Sequence, residues 1–159
     1  MVGETGAEAI EARLKALGLE LPPAPNPVAN YVPTLMNGNL LFVSGQIAKA
    51  ADGHVVTGAV GSDLTIEEGQ AAARLCALNI LSQAKAALGS LDRIVQVIRL
   101  TGYVNAGAGF ADHPKVINGA SDLMVEVLGD KGRHTRAAVG ASGLPGNTAV
   151  EVDAVLAIG

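Results

Sequence analysis

Three helices are predicted from apolar residues that recur at helical spacing. The first covers residues 6–17, and the second covers residues 66–88 after a T-x-x-E capping box. The third covers residues 113–128, where Asp112 is the predicted N-terminal cap. The second helix is apolar around most of its circumference, which predicts that it is buried on more than one side.

Five strands are predicted from β-branched residues and from period-two alternation. The turn signal Asn37-Gly38 joins strands 32–36 and 40–44 as a hairpin. A second turn signal, Asp52-Gly53, extends this hairpin to an antiparallel meander over residues 46–57. The remaining predicted strands are 94–104, 135–139 and 150–158. Strands in one sheet, with the helices segregated to one face, make an α+β sandwich.

The segment before the first strand differs from the rest of the chain. Prolines at positions 22, 23, 25 and 27 fix φ and remove backbone donors, so an extended linker follows the first helix. We therefore expect an N-terminal helix and proline-rich linker over residues 1–27. A single domain is expected over residues 28–159.

The composition predicts an oligomer. Hydrophobic residues make up 49% of the 159 residues, but only 16% are charged and 3% are aromatic. A small domain exposes much of its surface, and so few charges leave part of that surface to be covered by another subunit. The formal net charge is -4, which disfavours nucleic acid as a partner because phosphate backbones attract basic surfaces.

Several classes of site are missing from the sequence pattern. The single cysteine, Cys76, excludes an intramolecular disulfide, and its apolar helical surroundings predict a core residue rather than a nucleophile. Three scattered histidines predict no metal site, and no phosphate-binding glycine motif occurs. The pattern holds no membrane helix or leader, so we expect a cytoplasmic protein.

Arg136 lies inside a predicted strand, where a planar guanidinium needs a partner. Considered alone, it favours an ion pair with Glu151 or Asp153 on the neighbouring strand. These two acids alternate with valines and so share one face of that strand. The face that carries these two acids is either a solvated surface or a functional one. In the second case, one of the carboxylates orients water or holds a proton near Arg136.

Taken together, the segments resemble the RidA/YjgF family of enamine/imine deaminases, also described as the endoribonuclease L-PSP family. The resemblance covers about residues 28–158. It is carried by Tyr31-Val32, by LFVSGQI at 41–47, by the helix from Thr65 to Gly89, by LDRIVQV at 91–97, by Asn118, by Thr135-Arg136, by Leu144-Pro145 and by VEVDA at 150–154.

The resemblance implies a chorismate mutase-like sandwich, with a mixed β-sheet and two helices packed on one face, assembled as a homotrimer. Active sites would lie in clefts between subunits. Arg136 would bind the substrate carboxylate and Glu151 would position water, as the catalytic pair. Tyr31, Ser44 and Asn118 would complete the substrate-binding pocket.

The implied reaction is hydrolysis of 2-aminoacrylate-like or 2-aminocrotonate-like enamines, through their imines, to 2-keto acids and ammonia. It needs no metal or cofactor, and its partners are a small carboxylate substrate and further copies of the chain, not nucleic acid or a membrane. One alternative is a non-catalytic protein that senses a small carboxylate in the same cleft. The other is a ribonuclease or translation inhibitor, which the net charge disfavours.

The chain also departs from the family pattern. Ala138 stands where many members carry a cysteine, and Ala29-Asn30 replace the usual Gly-Pro before Tyr31. One extra residue separates Asn118 from Arg136, and the N-terminal helix is additional. These differences indicate a divergent subgroup.

Overall fold

The computed structural model describes residues 6–26 and 29–159. Its helices and strands confirm the α+β prediction with small changes at their ends. The helices are α1 (Gly6–Ala16), α2 (Ile66–Leu88) and α3 (His113–Leu128), and the strands are β1 (Thr34–Asn37), β2 (Leu40–Ile47), β3 (Ile94–Asn105), β4 (Thr135–Ala141) and β5 (Val150–Ile158). The predicted meander over 46–57 is wrong, because beyond β2 it is reduced to one bridge between Lys49 and Val55.

The strands form one mixed sheet in the order β1-β2-β5-β3-β4. Neighbouring strands are antiparallel except β3 and β4, which run parallel and are connected through α3. The last strand of the chain is therefore the centre of the sheet. This order separates β4 from β5 by the width of one strand, which decides where the predicted site residues lie.

The capping chemistry explains where α2 begins and ends but corrects the prediction for α3. The Thr65 hydroxyl accepts a hydrogen bond from the Glu68 backbone N–H at 3.1 Å, and Gly89 closes the helix in the left-handed conformation at φ 79°. Asp112, in contrast, makes no side-chain cap bond. Its backbone is not in the extended conformation of a cap residue, and its carboxylate instead lies 3.5 Å from the Lys115 ammonium.

Helices α2 and α3 pack on one face of the sheet, and α2 is also covered on its outer side. Alternate residues of β5, from Val150 to Ile158, are buried beneath the helices. On the outer side, the Ser82 hydroxyl of α2 donates to the Pro22 carbonyl, and the Lys85 ammonium lies 2.6 Å from the Glu11 carboxylate of α1. The prediction that α2 is buried on more than one side is confirmed. The predicted boundary between residues 27 and 28 lies outside the described residues.

The other face of the sheet carries exposed apolar side chains. Leu35, Phe42 and Val139 are 58%, 42% and 44% exposed. The register puts Phe42 opposite Val155 and Val139 opposite Tyr103, so these side chains share a face with Glu151. An apolar surface of this extent is typical of a protein–protein contact.

Candidate functional site

Tyr31, Ser44 and Glu151 line one cavity of about 450 Å³. It lies just before β1 begins, where β2 continues beside β5. The Ser44 hydroxyl donates to the Val32 carbonyl at 2.7 Å, and the Ser44 N–H donates to the Pro33 carbonyl at 2.9 Å. The two hydrogen bonds of Ser44 therefore hold the segment that carries Tyr31 against the edge of β2. We call this group the glutamate half-site.

Gly45 makes room for the Glu151 carboxylate. A Cβ atom at position 45 would lie 2.8 Å from Glu151 Oε1, a distance that real Cβ contacts do not tolerate. The pairing of β2 with β5 also shifts between Val43 and Gln46, so the backbone bulges at this point. The S-G-Q motif is visible in the sequence, but its pattern does not indicate a role for this glycine. Because Gly45 has no side chain, the Glu151 carboxylate fits beside it.

The electrostatics of the glutamate half-site favour proton binding. Burial raises the pKa of Glu151 above its ordinary value, and the neighbouring Asp153 carboxylate raises it further. Burial also raises the pKa of Asp153, while a hydrogen bond from Thr101 and the charge of Arg99 oppose that rise. A carboxyl group with a raised pKa can exchange a proton with a reacting group nearer to neutral pH.

Arg136 and Asn118 lie together in a second group, which we call the arginine half-site. Arg136 Nη1 donates to Asn118 Oδ1 at 2.8 Å and to Ser121 Oγ at 3.1 Å, and Nη2 donates to the Pro114 carbonyl at 3.2 Å. All three acceptors are neutral, and no carboxylate of the described residues pairs with Arg136. The guanidinium keeps its full charge and further N–H donors for an anionic ligand.

Ser121 connects Arg136 to His134. The His134 Nδ1 atom lies 2.6 Å from the Gly132 carbonyl, which can only accept, so Nδ1 carries the proton. In the neutral ring, Nε2 then accepts from the Ser121 hydroxyl at 2.9 Å. Ser121 and His134 are not among the site residues predicted from the sequence. The available signal was the three-residue spacing of Asn118 and Ser121, which puts both on one side of α3.

The two half-sites lie on opposite faces of the sheet. Arg136 is opposite Leu100 in the register, and Leu100 is opposite Ala154, both of which are buried beneath the helices. Glu151 is an odd number of residues from Ala154 and therefore points to the other face. The predicted ion pair of Arg136 with Glu151 or Asp153 is wrong, because β3 separates β4 from β5. The prediction that the two acids share a face is confirmed.

Cys76 behaves as predicted for a core residue. It is fully buried, and its thiol donates to the Val150 carbonyl at 3.4 Å. Burial raises the pKa of this thiol well above its ordinary value, and the Glu151 charge adds to the rise. The thiolate that a nucleophile needs is therefore disfavoured.

Two further findings, on metal-binding clusters and on membrane-crossing helices, apply to residues 6–26 and 29–159. No three histidine, cysteine, aspartate or glutamate side chains there come together in a way that could hold a metal ion. None of the helices in this part of the chain combines the length and apolarity that crossing a membrane demands.

Comparison with known proteins finds matches over almost the whole chain. The model of a family described as "YjgF/chorismate mutase-like, putative endoribonuclease" matches residues 11–156. Protein TCP17 of Trypanosoma cruzi is 49% identical over 148 residues, which is 92% of each chain.

Two solved structures are similar at the level of both sequence and fold. The protein Atu1372 of Agrobacterium tumefaciens, of unknown function, is 50% identical with a TM-score of 0.89, and the match covers 96% of each chain. A "putative endoribonuclease" of Shewanella oneidensis is 39% identical with a TM-score of 0.90, over 94% of this chain and 99% of its own.

Proposed function

Because the chain belongs to the YjgF/chorismate mutase-like family, which includes RidA, we propose that it hydrolyses 2-aminoacrylate-like enamines, through their imines, to 2-keto acids and ammonia. The observation that carries the proposal is the set of partners that Arg136 has. Its guanidinium is held by three neutral acceptors and has no carboxylate partner among the described residues. A guanidinium that is oriented by neutral groups and has no carboxylate partner is available to bind an anionic ligand.

The proposed active site is completed by a second copy of the chain. Within one chain, Arg136 and Glu151 lie on opposite faces of the sheet and cannot act on one small molecule. The exposed apolar face that includes Phe42 and Val139 supports association of copies through the sheet. We propose a homotrimer in which the arginine half-site of one copy faces the glutamate half-site of the next.

In this site the reaction needs positioning and one proton carrier. Arg136 binds the substrate carboxylate through two parallel N–H donors. Glu151 takes a proton from a water molecule as the water oxygen adds to the imine carbon, and passes that proton to the nitrogen, which gives a carbinolamine. Glu151 then takes the proton of the new hydroxyl group and delivers it to the amino nitrogen. The C–N bond breaks, ammonia leaves, and the carbonyl of the 2-keto acid remains. Tyr31, Ser44 and Asn118 shape the two halves of the pocket around the substrate.

The endoribonuclease in the family description is the weaker proposal for this chain. The formal net charge of -4 opposes a phosphate backbone, and the cavity of the glutamate half-site includes a carboxylate of its own. A small monocarboxylate fits the Arg136 guanidinium better than a polyanion does.

The test is release of 2-keto acid from an enamine that a serine or threonine dehydratase generates in the same solution. The wild-type protein should accelerate the release, and Arg136→Ala should reduce the acceleration about a hundredfold, because a charge-assisted bidentate bond is lost. The matched control is Arg133→Ala, three residues earlier, whose exposed side chain pairs with Asp130 at 3.3 Å. This control should retain full activity.

Sedimentation of the same samples tests the assembly. Three copies are expected for the wild type and for both variants. A folded wild-type oligomer that does not accelerate the reaction would overturn the deaminase. Titration with 2-oxobutanoate would then test the alternative of a non-catalytic sensor, for which Arg136-dependent binding without ammonia release is expected.

A further inference from the structure

The cavity of the glutamate half-site extends away from Glu151 to a wall that the proposed reaction does not use. Asn79 and Gln83 of α2 and Pro25 of the linker form this wall. The two amide side chains are only 6% and 4% exposed. Buried polar groups of this kind are normally fully hydrogen-bonded, so their partners indicate what the wall can bind.

The Asn79 amide is fixed in orientation and leaves its oxygen available. Its Nδ2 atom donates to three backbone carbonyls, those of Ile47 at 3.3 Å, Lys49 at 2.8 Å and Leu75 at 2.9 Å. Because carbonyls only accept, this side cannot be the oxygen. Within residues 6–26 and 29–159, no donor bonds to Asn79 Oδ1.

The Gln83 amide repeats this arrangement one helical turn later. Its Nε2 atom donates to the Pro25 carbonyl at 3.4 Å, which ties the linker to α2. Its oxygen, like that of Asn79, has no donor in the described part of the chain. Two acceptor oxygens on one wall of a cavity, with no donor among the described residues, favour a ligand that brings N–H donors to them.

Lys49 adds a donor to the same wall. Its backbone carbonyl accepts a hydrogen bond from Asn79, the residue lines the same cavity, and no carboxylate of the described residues pairs with its ammonium. A second cavity of about 220 Å³ shares Pro25, Lys49 and Asn79 with the first. The two cavities are therefore neighbours, and the first alone is larger than a three-carbon substrate.

We propose that this wall is a subsite for a terminal carboxamide, and that the preferred substrates are 2-imino acids with an amide side chain. The amide nitrogen would donate to Asn79 Oδ1 and Gln83 Oε1, and the amide oxygen would accept from Lys49 Nζ. A terminal carboxylate would bring its oxygens against two carbonyl oxygens, and a terminal ammonium would meet Lys49. An apolar end would displace water from both acceptors without offering them a donor.

The inference rests on the proposed function for the 2-imino acid end of the substrate and adds the identity of the other end. It also gives the N-terminal segment a role, since Pro25 closes the subsite. The class of reaction that supplies such substrates is oxidation of the C–N bond in amide-bearing 2-amino acids. Water then adds to the resulting C=N bond and ammonia leaves, as in the reaction proposed above.

The test uses two stable carboxylates of the same shape, glutaramate and 5-methylhexanoate, which differ only in the terminal carboxamide. Calorimetric titration of the full-length protein should give about tenfold tighter binding of glutaramate. Gln83→Leu should abolish this preference, whereas Gln83→Glu, which loses the same N–H but keeps acceptor oxygens, should retain it. Gln70→Leu is the matched control, because Gln70 lies on α2 and donates to the Lys115 carbonyl away from the cavity.

Lys49→Met is a second variant, which leaves the amides and the backbone carbonyl in place. It should weaken glutaramate about fivefold and leave 5-methylhexanoate unchanged. Equal affinities for the two carboxylates, no affinity for either, a preference that survives Gln83→Leu, or an undiminished preference in Lys49→Met would overturn the subsite. A protein that hydrolyses 2-aminoacrylate without this preference keeps the proposed function and loses the subsite. A protein that shows the preference without hydrolysis keeps the subsite and loses the deaminase.

Discussion

The two half-sites hold their charged groups in opposite ways. Arg136 is oriented by three hydrogen bonds from its guanidinium to Asn118, Ser121 and Pro114. Glu151 accepts no side-chain or loop hydrogen bond in the described part of the chain and is positioned by the space that Gly45 leaves. Hydrogen bonds hold the Arg136 guanidinium in place, whereas the shape of the surrounding backbone holds the Glu151 carboxylate. Removing an acceptor should therefore damage the first, and adding a single methyl group should damage the second.

The largest predicted effect breaks the support of the arginine half-site. Gly119 follows Asn118 on α3, and a Cβ atom there would lie 2.1 Å from the Gln70 carbonyl oxygen of α2. Gly119→Ala must push the two helices apart, so we expect the free energy of unfolding to fall by about 3 kcal/mol. Urea denaturation measures the change.

The matched control for Gly119→Ala is Gly143→Ala, because a Cβ atom at position 143 meets nothing within 4 Å. It should change the free energy of unfolding by less than about 0.5 kcal/mol. Equal stability of the two variants would contradict the close crossing of α2 and α3.

The second prediction breaks the glutamate half-site. Gly45→Ala places a methyl group 2.8 Å from the present position of Glu151 Oε1 and must displace the carboxylate. A displacement of about 1 Å at a reacting group costs about a hundredfold in rate, so a loss of that size is expected for 2-keto acid release. Gly143→Ala again serves as the control. Full activity of Gly45→Ala would show that the carboxylate position does not limit the reaction.

The sequence predicts the elements better than it predicts their arrangement. The capping box of Thr65 and the left-handed Gly89 are local signals, and both were recognised from the sequence. The strand order is not local, since β5 inserts between β2 and β3 and the α3 connection makes β4 parallel to β3. For that reason the predicted ion pair of Arg136 with the β5 acids was wrong although its residue types were reasonable.

The members of the candidate site follow the same division. Arg136 and Glu151 stand in strand patterns and in family motifs, so both could be named from the sequence. Ser121 could not, because its role depends on how close α3 lies to β4. The acceptor wall of Asn79 and Gln83 was equally hidden, since their positions within an apolar helix gave no sign that the linker covers them.

The third prediction sharpens the statement that bonds orient Arg136. Ser121→Ala removes one of the three acceptors and the contact with His134. One hydrogen bond is worth about 1 kcal/mol, so the KM for the enamine should rise about fivefold with little change in kcat. Ser121→Thr keeps the hydroxyl and should restore the KM. The exposed neighbour variant Asp122→Ala should leave both constants unchanged, and a KM unaffected by Ser121→Ala would mean that Asn118 and Pro114 suffice.

The smallest predicted effects concern the protonation of Glu151. Its pKa is raised above the ordinary value of 4.5 by burial and by Asp153, so the folded state binds the proton more tightly than the unfolded state. The stability that this proton provides is fully present below pH 4.5 and is lost as the pH rises through the raised pKa. Over that interval the free energy of unfolding of the wild type should fall relative to that of Glu151→Gln, when both are measured by urea denaturation.

The rate of 2-keto acid release should depend on the same carboxyl group, but it should change with pH in the opposite direction to the stability. Glu151 must be ionised to take a proton from water, so the rate of 2-keto acid release should rise with pH through the raised pKa. Asp153→Asn removes the charge that adds to the rise in that pKa, and the acid limb of the rate profile should therefore move to lower pH. Asp122→Asn, on α3, should leave the limb in place, because Asp122 is not among the causes of the raised pKa of Glu151. A limb that stays fixed in Asp153→Asn would mean that a group other than Glu151 carries the proton, whereas a shift confined to Asp153→Asn would identify the desolvated carboxylate as the carrier.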